Sequence, residues 1–471
     1  MAPQFGTSGL RGLVRELTAG LVADHLRAFI AACPTGTGLW VGRDLRPSSP
    51  DLARWVLEAA RAEGLATTDC GAVPTPALAL AAMQAGAAAV MVTGSHIPAD
   101  RNGLKFYLPG GEITKADEAA ILAALGRAPS AGPAGPAPRM DDRAGPAWVA
   151  RYVTAFGPQA LAGLRLGVWS HSAVSRDLLL QAVAALGGEA VELGRSDKFI
   201  TVDTEAVGAG VRTELAGWAA GHRLDAILST DGDGDRPLLT DAAGQLIAGD
   251  VLGQITAALL RAEVVVTPVS SNTGAEASGR FADVIRTKIG SPFVIAGMQA
   301  AAPAKVVGYE ANGGFLLGFA AQGPAGPLPP LATRDSLLPL IAPLSQARAA
   351  GGLAALVAAE PPRFTSSGRL EEIPAAASRA LLAGFDAAPA ALTSFLAGLG
   401  EALATVNRTD GLRLRLASGR VLHMRPSGNA PEFRLYAEAE SPDLAEHLLQ
   451  AGMNWLQAAF DWSLYKNTQA Q

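Results

Sequence analysis

V-M-V-T-G-S-H-I-P-A-D-R-N-G-L-K-F-Y, residues 90–107, is the stretch on which the reading of the chain turns. The apolar run Ala88–Thr93 has the length and composition of a buried strand, bounded by Gly94 and Pro98. Such a strand delivers Ser95 at its C-terminal end, where open α/β sheets place their ligands. His96 sits beside it, and Lys105 follows a turn-rich Asp100–Gly103. A hydrolase nucleophile elbow would read G-x-S-x-G. Here residues 93–97 read T-G-S-H-I, without the second glycine, and that chemistry is set aside.

A chain of 471 residues is long enough for roughly three or four domains. Hydrophobic residues make up 49%, ample for several cores, and the formal charge is -5 with 17% charged residues. That balance offers neither a basic field for nucleic acid nor a polybasic membrane patch, so the expected partner is a small molecule. Cys33 and Cys70 are too few for a disulfide framework, and no apolar run approaches a membrane span, which together suggest a cytoplasmic protein. Of 38 basic residues only six are lysine. Arginine cannot give up its proton whereas lysine can be tuned to, so Lys105, retained inside a motif, is a candidate acid or base.

In chain order, Phe5–Gly12 reads as a glycine-rich N-terminal turn carrying Arg11. A strand at Gly38–Gly42 and helices over Pro50–Glu63 and Lys115–Leu125 follow, and the Pro- and Gly-rich Ala128–Pro138 reads as a linker. Strands at Leu164–Trp169 and Leu224–Thr230, with helices over Val174–Leu186 and Val211–Gly221, form a second unit that runs into Asp231-Gly-Asp-Gly-Asp-Arg236. A third unit has a helix from Gly249 to Arg261 and strands at Val264–Thr267 and Lys305–Gly308, ending at Glu310. Polar residues thus follow an apolar strand three times, at Ser95, Asp231 and Glu310, the pattern of an internal repeat around one cleft. After a mostly helical connection, Leu412–Ala417, Arg420–Arg425 and Glu432–Ala439 alternate as antiparallel strands, and Leu444–Ala459 closes as an amphipathic helix. The expected fold is α/β: three similar mixed α/β domains over 1–138, 139–248 and 249–355, with a smaller C-terminal α+β domain over 356–471, all four around a central cleft.

Asp231, Asp233 and Asp235 alternate with glycine, so three carboxylates can converge on one point. All-oxygen ligands suit Mg²⁺ or Ca²⁺. An EF-hand would want glycine where Arg236 stands and glutamate where Ala242 stands, and a phosphate beside three carboxylates favours Mg²⁺. Arg425, Ser427, the backbone around Gly428, and Asn429 can surround phosphate oxygens, with Arg434 as a further cation; a plain hairpin turn would use the same residues.

This combination resembles the α-D-phosphohexomutase family, which includes phosphomannomutase, phosphoglucomutase and phosphoglucosamine mutase. Its members carry an active-site phosphoserine, a D-G-D-x-D-R metal loop, a sugar loop and a phosphate loop beginning R-P-S-G, and the likeness runs from Phe5 to Glu438. The resemblance implies that phosphorylated Ser95 transfers the group, with His96 and Arg236 beside it. Asp231, Asp233 and Asp235, with an oxygen of Ser95, would hold one Mg²⁺ per chain. It implies proton transfer at Lys105, substrate binding by Arg11 and Lys288, contact of Glu310 and Asn312 with the sugar, and phosphate binding by Arg425, Ser427, Gly428, Asn429 and Arg434. The implied reaction interconverts hexose 6-phosphate and hexose 1-phosphate through a hexose 1,6-bisphosphate, with phosphomannomutase ahead of a glucose or dual-specificity enzyme.

Gly94 and Ile97 stand where the family usually has Ala and Asn, Asn312 and Gly314 where Ser and His are common, and Asn429 where Thr is usual. These departures leave the implied nucleophile, metal ligands and Lys105 in place and bear on sugar preference. A phosphosugar sensor that kept the fold would need neither nucleophile nor proton carrier. A phosphatase would release free phosphate from the same serine.

Overall fold

All five residues of the strand Ala88–Val92 are buried, because it has a strand on each side and helices above and below. Leu39–Arg43 runs parallel to it and Arg101–Leu108 antiparallel. The protein, described by a computed structural model, is defined over residues 3–6, 9–427 and 431–469, with side chains as far as 461. The first sheet runs in the order Gln4–Phe5, Leu10–Leu13, Arg101–Leu108, Ala88–Val92, Leu39–Arg43, Thr67–Ala72, Arg139–Met140, with Gly111–Glu112 paired to Arg101–Leu108. Helices Ala19–Ala32 and Ser49–Ala62 bury Leu26, Phe29, Leu52 and Val56 in its core.

Two expectations in this region need correction. Residues 101–103 are not a turn but the start of the strand Arg101–Leu108, with Gly103 opposite Arg11. Gly103 serves close approach instead: a Cβ there would lie 2.1 Å from the carbonyl oxygen of Leu10. Likewise Arg11 belongs to the strand Leu10–Leu13, which holds it in the sheet.

The second sheet places Arg165–Trp169 between the parallel strands Glu189–Leu193 and Ala226–Thr230, and Pro237–Thr240 returns antiparallel to Ala226–Thr230. In the third, Val264–Pro268 is parallel to Val306–Tyr309, followed by antiparallel Phe315–Leu317 and Leu331–Asp335. The three sheets share one plan. The strand that ends at the polar loop has a parallel neighbour on one side and, on the other, the antiparallel strand that returns from the loop.

The chain divides into two compact units, Met1–Val266 with Phe281–Asp283 and Gly290–Ala359, and Thr267–Arg280 with Val284–Ile289 and Glu360–Gln471. The second contains an antiparallel sheet in the order Phe364–Leu370, Phe433–Ala439, Val421–Pro426, Leu412–Leu416, Leu403–Asn407, backed by Pro442–Gln469. Five strands stand where three were expected, and the connection before Leu412 is therefore not simply helical. The two extra strands form the sheet edges and expose many of their residues, so neither carries a strong apolar alternation. Among the described residues no single helix is long and apolar enough to cross a membrane. The bent pair Ala375–Ala387 and Pro389–Gly398 approaches that composition, and it buries Phe385, Phe395 and Leu396 in this unit's core.

Candidate active site

Ser95 lies just past its strand with φ 53, a left-handed conformation uncommon for serine, and is 1% exposed. Two groups hold it there. The Thr93 hydroxyl accepts its N–H at 2.7 Å and donates to Asp44 at 2.7 Å. Arg46, beneath the loop, uses all five of its N–H donors. Nε donates to Asp44 at 3.1 Å, Nη2 to the carbonyls of Ser95 and Ile97 at 2.8 and 2.5 Å, and Nη1 to those of Pro98 and Arg101 at 2.7 and 3.0 Å. Its guanidinium lies 4.1 Å from the centre of the Phe199 ring. A Cβ on Gly94 would come within 2.7 Å of Arg46 Cζ, so glycine at 94 is what admits the arginine. Lysine has three donors and no planar fork. Arg46→Lys is therefore expected to lower kcat about 10²-fold by displacing Ser95, with KM little changed. Steady-state kinetics check this, and a near-normal kcat would count against the role.

The loop after Ala226–Thr230 is a tight hairpin in which Asp231 N–H donates to the Arg236 carbonyl at 3.1 Å. Gly232 allows it to approach the serine, since a Cβ there would lie 2.9 Å from the Ser95 carbonyl oxygen. The Ser95 hydroxyl donates to Asp231 Oδ2 at 2.7 Å. Lys105 Nζ donates to Asp233 and Asp235 at 2.6 and 2.7 Å, and the Thr75 hydroxyl to Asp233 at 2.6 Å. Burial, then the charges of Asp233 and Asp235, hold Asp231 well above the usual carboxylate range. Burial pushes Asp233 and Asp235 up as well, but both end below that range. Lys105 and Thr75 outweigh it at Asp233, and Arg334 with Lys105 at Asp235.

The three aspartates each offer an oxygen within 4.8 Å of the others, and all are fully buried. Among the described residues, Asp233 Oδ1 and Asp235 Oδ1 are buried without a hydrogen-bond partner. Dry carboxylate oxygens with no donor fit a hard cation. Around them, Arg236 Nε lies 3.9 Å from Asp231 and 4.0 Å from Asp235. Arg236 first, then burial and Arg11, hold His96 far below the usual imidazole range. These neighbours favour the uncharged ring, whose Nδ1 lies 3.3 Å from Ser95 Oγ. Burial, then Arg236, pull Arg11 down to about 10.

Glu310 follows Val306–Tyr309 in a turn closed by Gly313 N–H on the Glu310 carbonyl at 2.9 Å. Asn312 Oδ1 accepts the Gly314 N–H at 2.9 Å, so this oxygen shapes its own loop. Arg334 reaches both loops, donating to Asp235 at 2.8 Å and Glu310 at 3.3 Å, and the Ser336 hydroxyl donates to the Gly234 carbonyl at 2.7 Å. Sequence reasoning missed Asp44, Arg46, Thr75, Arg334 and Ser336. Asp44 and Arg46 follow the mostly apolar strand Leu39–Arg43, the signal that found Ser95, whereas Thr75 opens the helix Thr75–Gln84 after Pro74, and Arg334 and Ser336 lie in and just after Leu331–Asp335, whose mixed composition carries no such signal.

The second unit carries Lys288, Arg425, Ser427 and Arg434; Gly428 and Asn429 lie outside the described residues. Asp410 brings its segments together, accepting the Ile289 N–H at 3.1 Å and facing Arg425 Nε at 3.4 Å. Arg425 and Arg434 are register partners on adjacent strands, and Arg434 is turned toward Glu432 at 3.1 Å. Ser427 N–H donates to the Glu432 carbonyl at 2.8 Å, one step beyond the register pair of Pro426 and Phe433.

Profiles of phosphoglucomutase/phosphomannomutase α/β/α domain I, α/β/α domain III and the C-terminal domain match residues 2–131, 240–364 and 371–453. A phosphomannomutase of Sinorhizobium fredii is 45% identical over 468 residues, covering 96% of this chain and 98% of its own. The chain belongs to the phosphoglucomutase/phosphomannomutase family. A second relative, a phosphomannomutase of Salmonella muenchen, is 40% identical over 454 residues, covering 95% of this chain and 94% of its own. The crystal structure of a family protein from Burkholderia thailandensis superposes with a TM-score of 0.76 at 22% identity, covering 96% of this chain and 97% of that one, and attests the shared fold. Membership in this family agrees with the α/β sheets and the buried aspartate cluster.

Proposed function

We propose that the protein is a phosphomannomutase that interconverts hexose 6-phosphate and hexose 1-phosphate, through phosphorylated Ser95 and a hexose 1,6-bisphosphate. The observation that carries this reading is the Ser95 hydroxyl, 2.7 Å from Asp231 in a buried cluster that also holds Lys105 against Asp233 and Asp235. The four domains of the sequence reading supply one loop each: 1–138 the serine, 139–248 the aspartates, 249–355 the sugar loop and 356–471 the phosphate loop. Asp231, Asp233 and Asp235 would hold one Mg²⁺ per chain, which when bound supplies charge stabilisation to the transferring phosphoryl group.

In each half-reaction a sugar hydroxyl oxygen forms a bond to phosphorus as the bond from phosphorus to Ser95 Oγ breaks, or the reverse. The hydroxyl proton is handled at Lys105 Nζ and ends on the oxygen that leaves. Ser95 is aimed by Arg46 and Thr93, and Arg11 and Arg236 face the charge of the transferred group. Arg425, Ser427, Gly428, Asn429 and Arg434, with Lys288, would take the phosphate that is not reacting. The substrate is thus a phosphorylated hexose, and composition supports a cytoplasmic enzyme without nucleic acid or membrane partners.

The names of the two relatives favour mannose. Glu310 can accept from two adjacent hydroxyls, and those at O3 and O4 have the same configuration in glucose and mannose. Turnover of mannose 1-phosphate is therefore expected to be best, with kcat/KM for glucose 1-phosphate within about 10²-fold. Assays of both, of glucosamine 1-phosphate and of released phosphate decide it. A preference for glucosamine refutes the sugar assignment, stoichiometric free phosphate would indicate a phosphatase, and binding without turnover a sensor.

A further inference from the structure

Arg334 sits where the metal loop and the sugar loop meet, and it is 3% exposed. Its backbone is anchored on both sides. The neighbouring Thr333 hydroxyl donates to Glu112 at 2.9 Å, Asp335 accepts from Trp148 Nε1 at 2.9 Å and from the Tyr152 hydroxyl, and Ser336 holds the Gly234 carbonyl. From this fixed base the guanidinium divides itself, Nη2 on Asp235 Oδ2 and Nη1 on Glu310 Oε1. Asp235 Oδ2 also accepts from Lys105, so two cations hold one oxygen while Oδ1 stays bare. The carboxylate is thereby oriented with its unpartnered oxygen available to a cation.

The space Arg334 fills depends on Gly314. A Cβ at position 314 would lie 2.8 Å from Arg334 Cδ and 3.1 Å from its Cγ. Glycine at 314 thus leaves room for the arginine stem that reaches in from the strand Leu331–Asp335.

We propose that Arg334 is a positioning residue that clasps the sugar-binding Glu310 to the metal-binding Asp235, so that one guanidinium sets the geometry of both. The proposal rests on the phosphohexomutase reading above, and its two arms separate the failures. In the first arm, Mn²⁺ is titrated into the purified protein and free Mn²⁺ is followed by electron paramagnetic resonance, with no substrate present. Arg334→Met is expected to weaken Mn²⁺ binding about tenfold, as loss of a residue that orients a metal ligand does. A purely charge-neutralising role predicts the reverse, since removing a cation beside the site strengthens its pull on Mn²⁺. In the second arm, Arg334→Met raises KM for mannose 1-phosphate and lowers kcat. In a Glu310→Ala background its effect on KM disappears while its effect on Mn²⁺ remains. Arg334→Lys keeps a buried cation and is expected to be intermediate in both arms; it carries the test should Arg334→Met fail to fold. Unchanged or tighter Mn²⁺ binding, wild-type protein that binds no Mn²⁺, or KM penalties that multiply in the double variant overturns the proposal. Wild-type protein that binds Mn²⁺ but turns over no hexose phosphate instead overturns the proposed reaction, and the first arm alone then decides the clasp.

Discussion

Ser95→Ala is expected to lose essentially all mutase activity, on the order of 10⁵-fold, the scale of deleting a covalent nucleophile. The neighbouring hydroxyls give no substitute. Thr93 Oγ1 is tied between the Ser95 N–H and Asp44, and Thr75 Oγ1 donates to Asp233. His96 Nδ1 is 3.3 Å from the hydroxyl rather than in its place. The fold should survive, because the loop is held through carbonyls and the Ser95 N–H, none of which the substitution removes. Intact-mass analysis should find one phosphate on purified wild-type protein, mapped by fragmentation to Ser95, and none on the variant. Phosphate at another residue would overturn the assignment of the nucleophile, and so would Ser95→Ala with substantial turnover.

What could be read from sequence were apolar runs that stop at a polar cluster. Ala88–Val92 and Ala226–Thr230 are buried throughout, so their composition announces them, and Ser95 and Asp231 follow directly. Arg46 and Arg334 could not be singled out by type, because this chain uses arginine for nearly all of its positive charge. What marks them is burial against carbonyls and carboxylates from distant segments, 49 to 55 residues away for the Arg46 carbonyl contacts and 99 for Arg334 and Asp235. Gly103 misled for a related reason, since glycine reads as a turn locally while its work here is to let two strands touch. The edge strands Phe364–Leu370 and Leu403–Asn407 lack a strong apolar alternation.

Asp233→Asn is expected to abolish metal-dependent turnover, by on the order of 10³-fold, while the fold remains. Relief of like-charge repulsion is not the main effect, because Asp233 is held ionised by Lys105 and Thr75 against the push of burial. In the variant the amide oxygen can take over the bonds from Lys105 and Thr75, and Lys105 also keeps Asp235. The amide nitrogen then occupies the position of Oδ1, the bare oxygen, and turns two N–H donors toward the place of the cation. Nearly isosteric, the change replaces an acceptor with a donor where only an acceptor can ligate. A modest loss of stability is expected from the missing charge beside Lys105, a few degrees in Tm at most. The diagnostic difference is in ligand response, because a cation that binds only the folded state raises its stability in proportion to the logarithm of its concentration. Wild-type Tm should climb with millimolar Mg²⁺ and fall back on chelation, together with activity, while the variant's Tm stays flat. Turnover that survives a chelator in the wild type, or an equal Mg²⁺ response in Asp233→Asn, would remove the aspartate cluster from the chemistry.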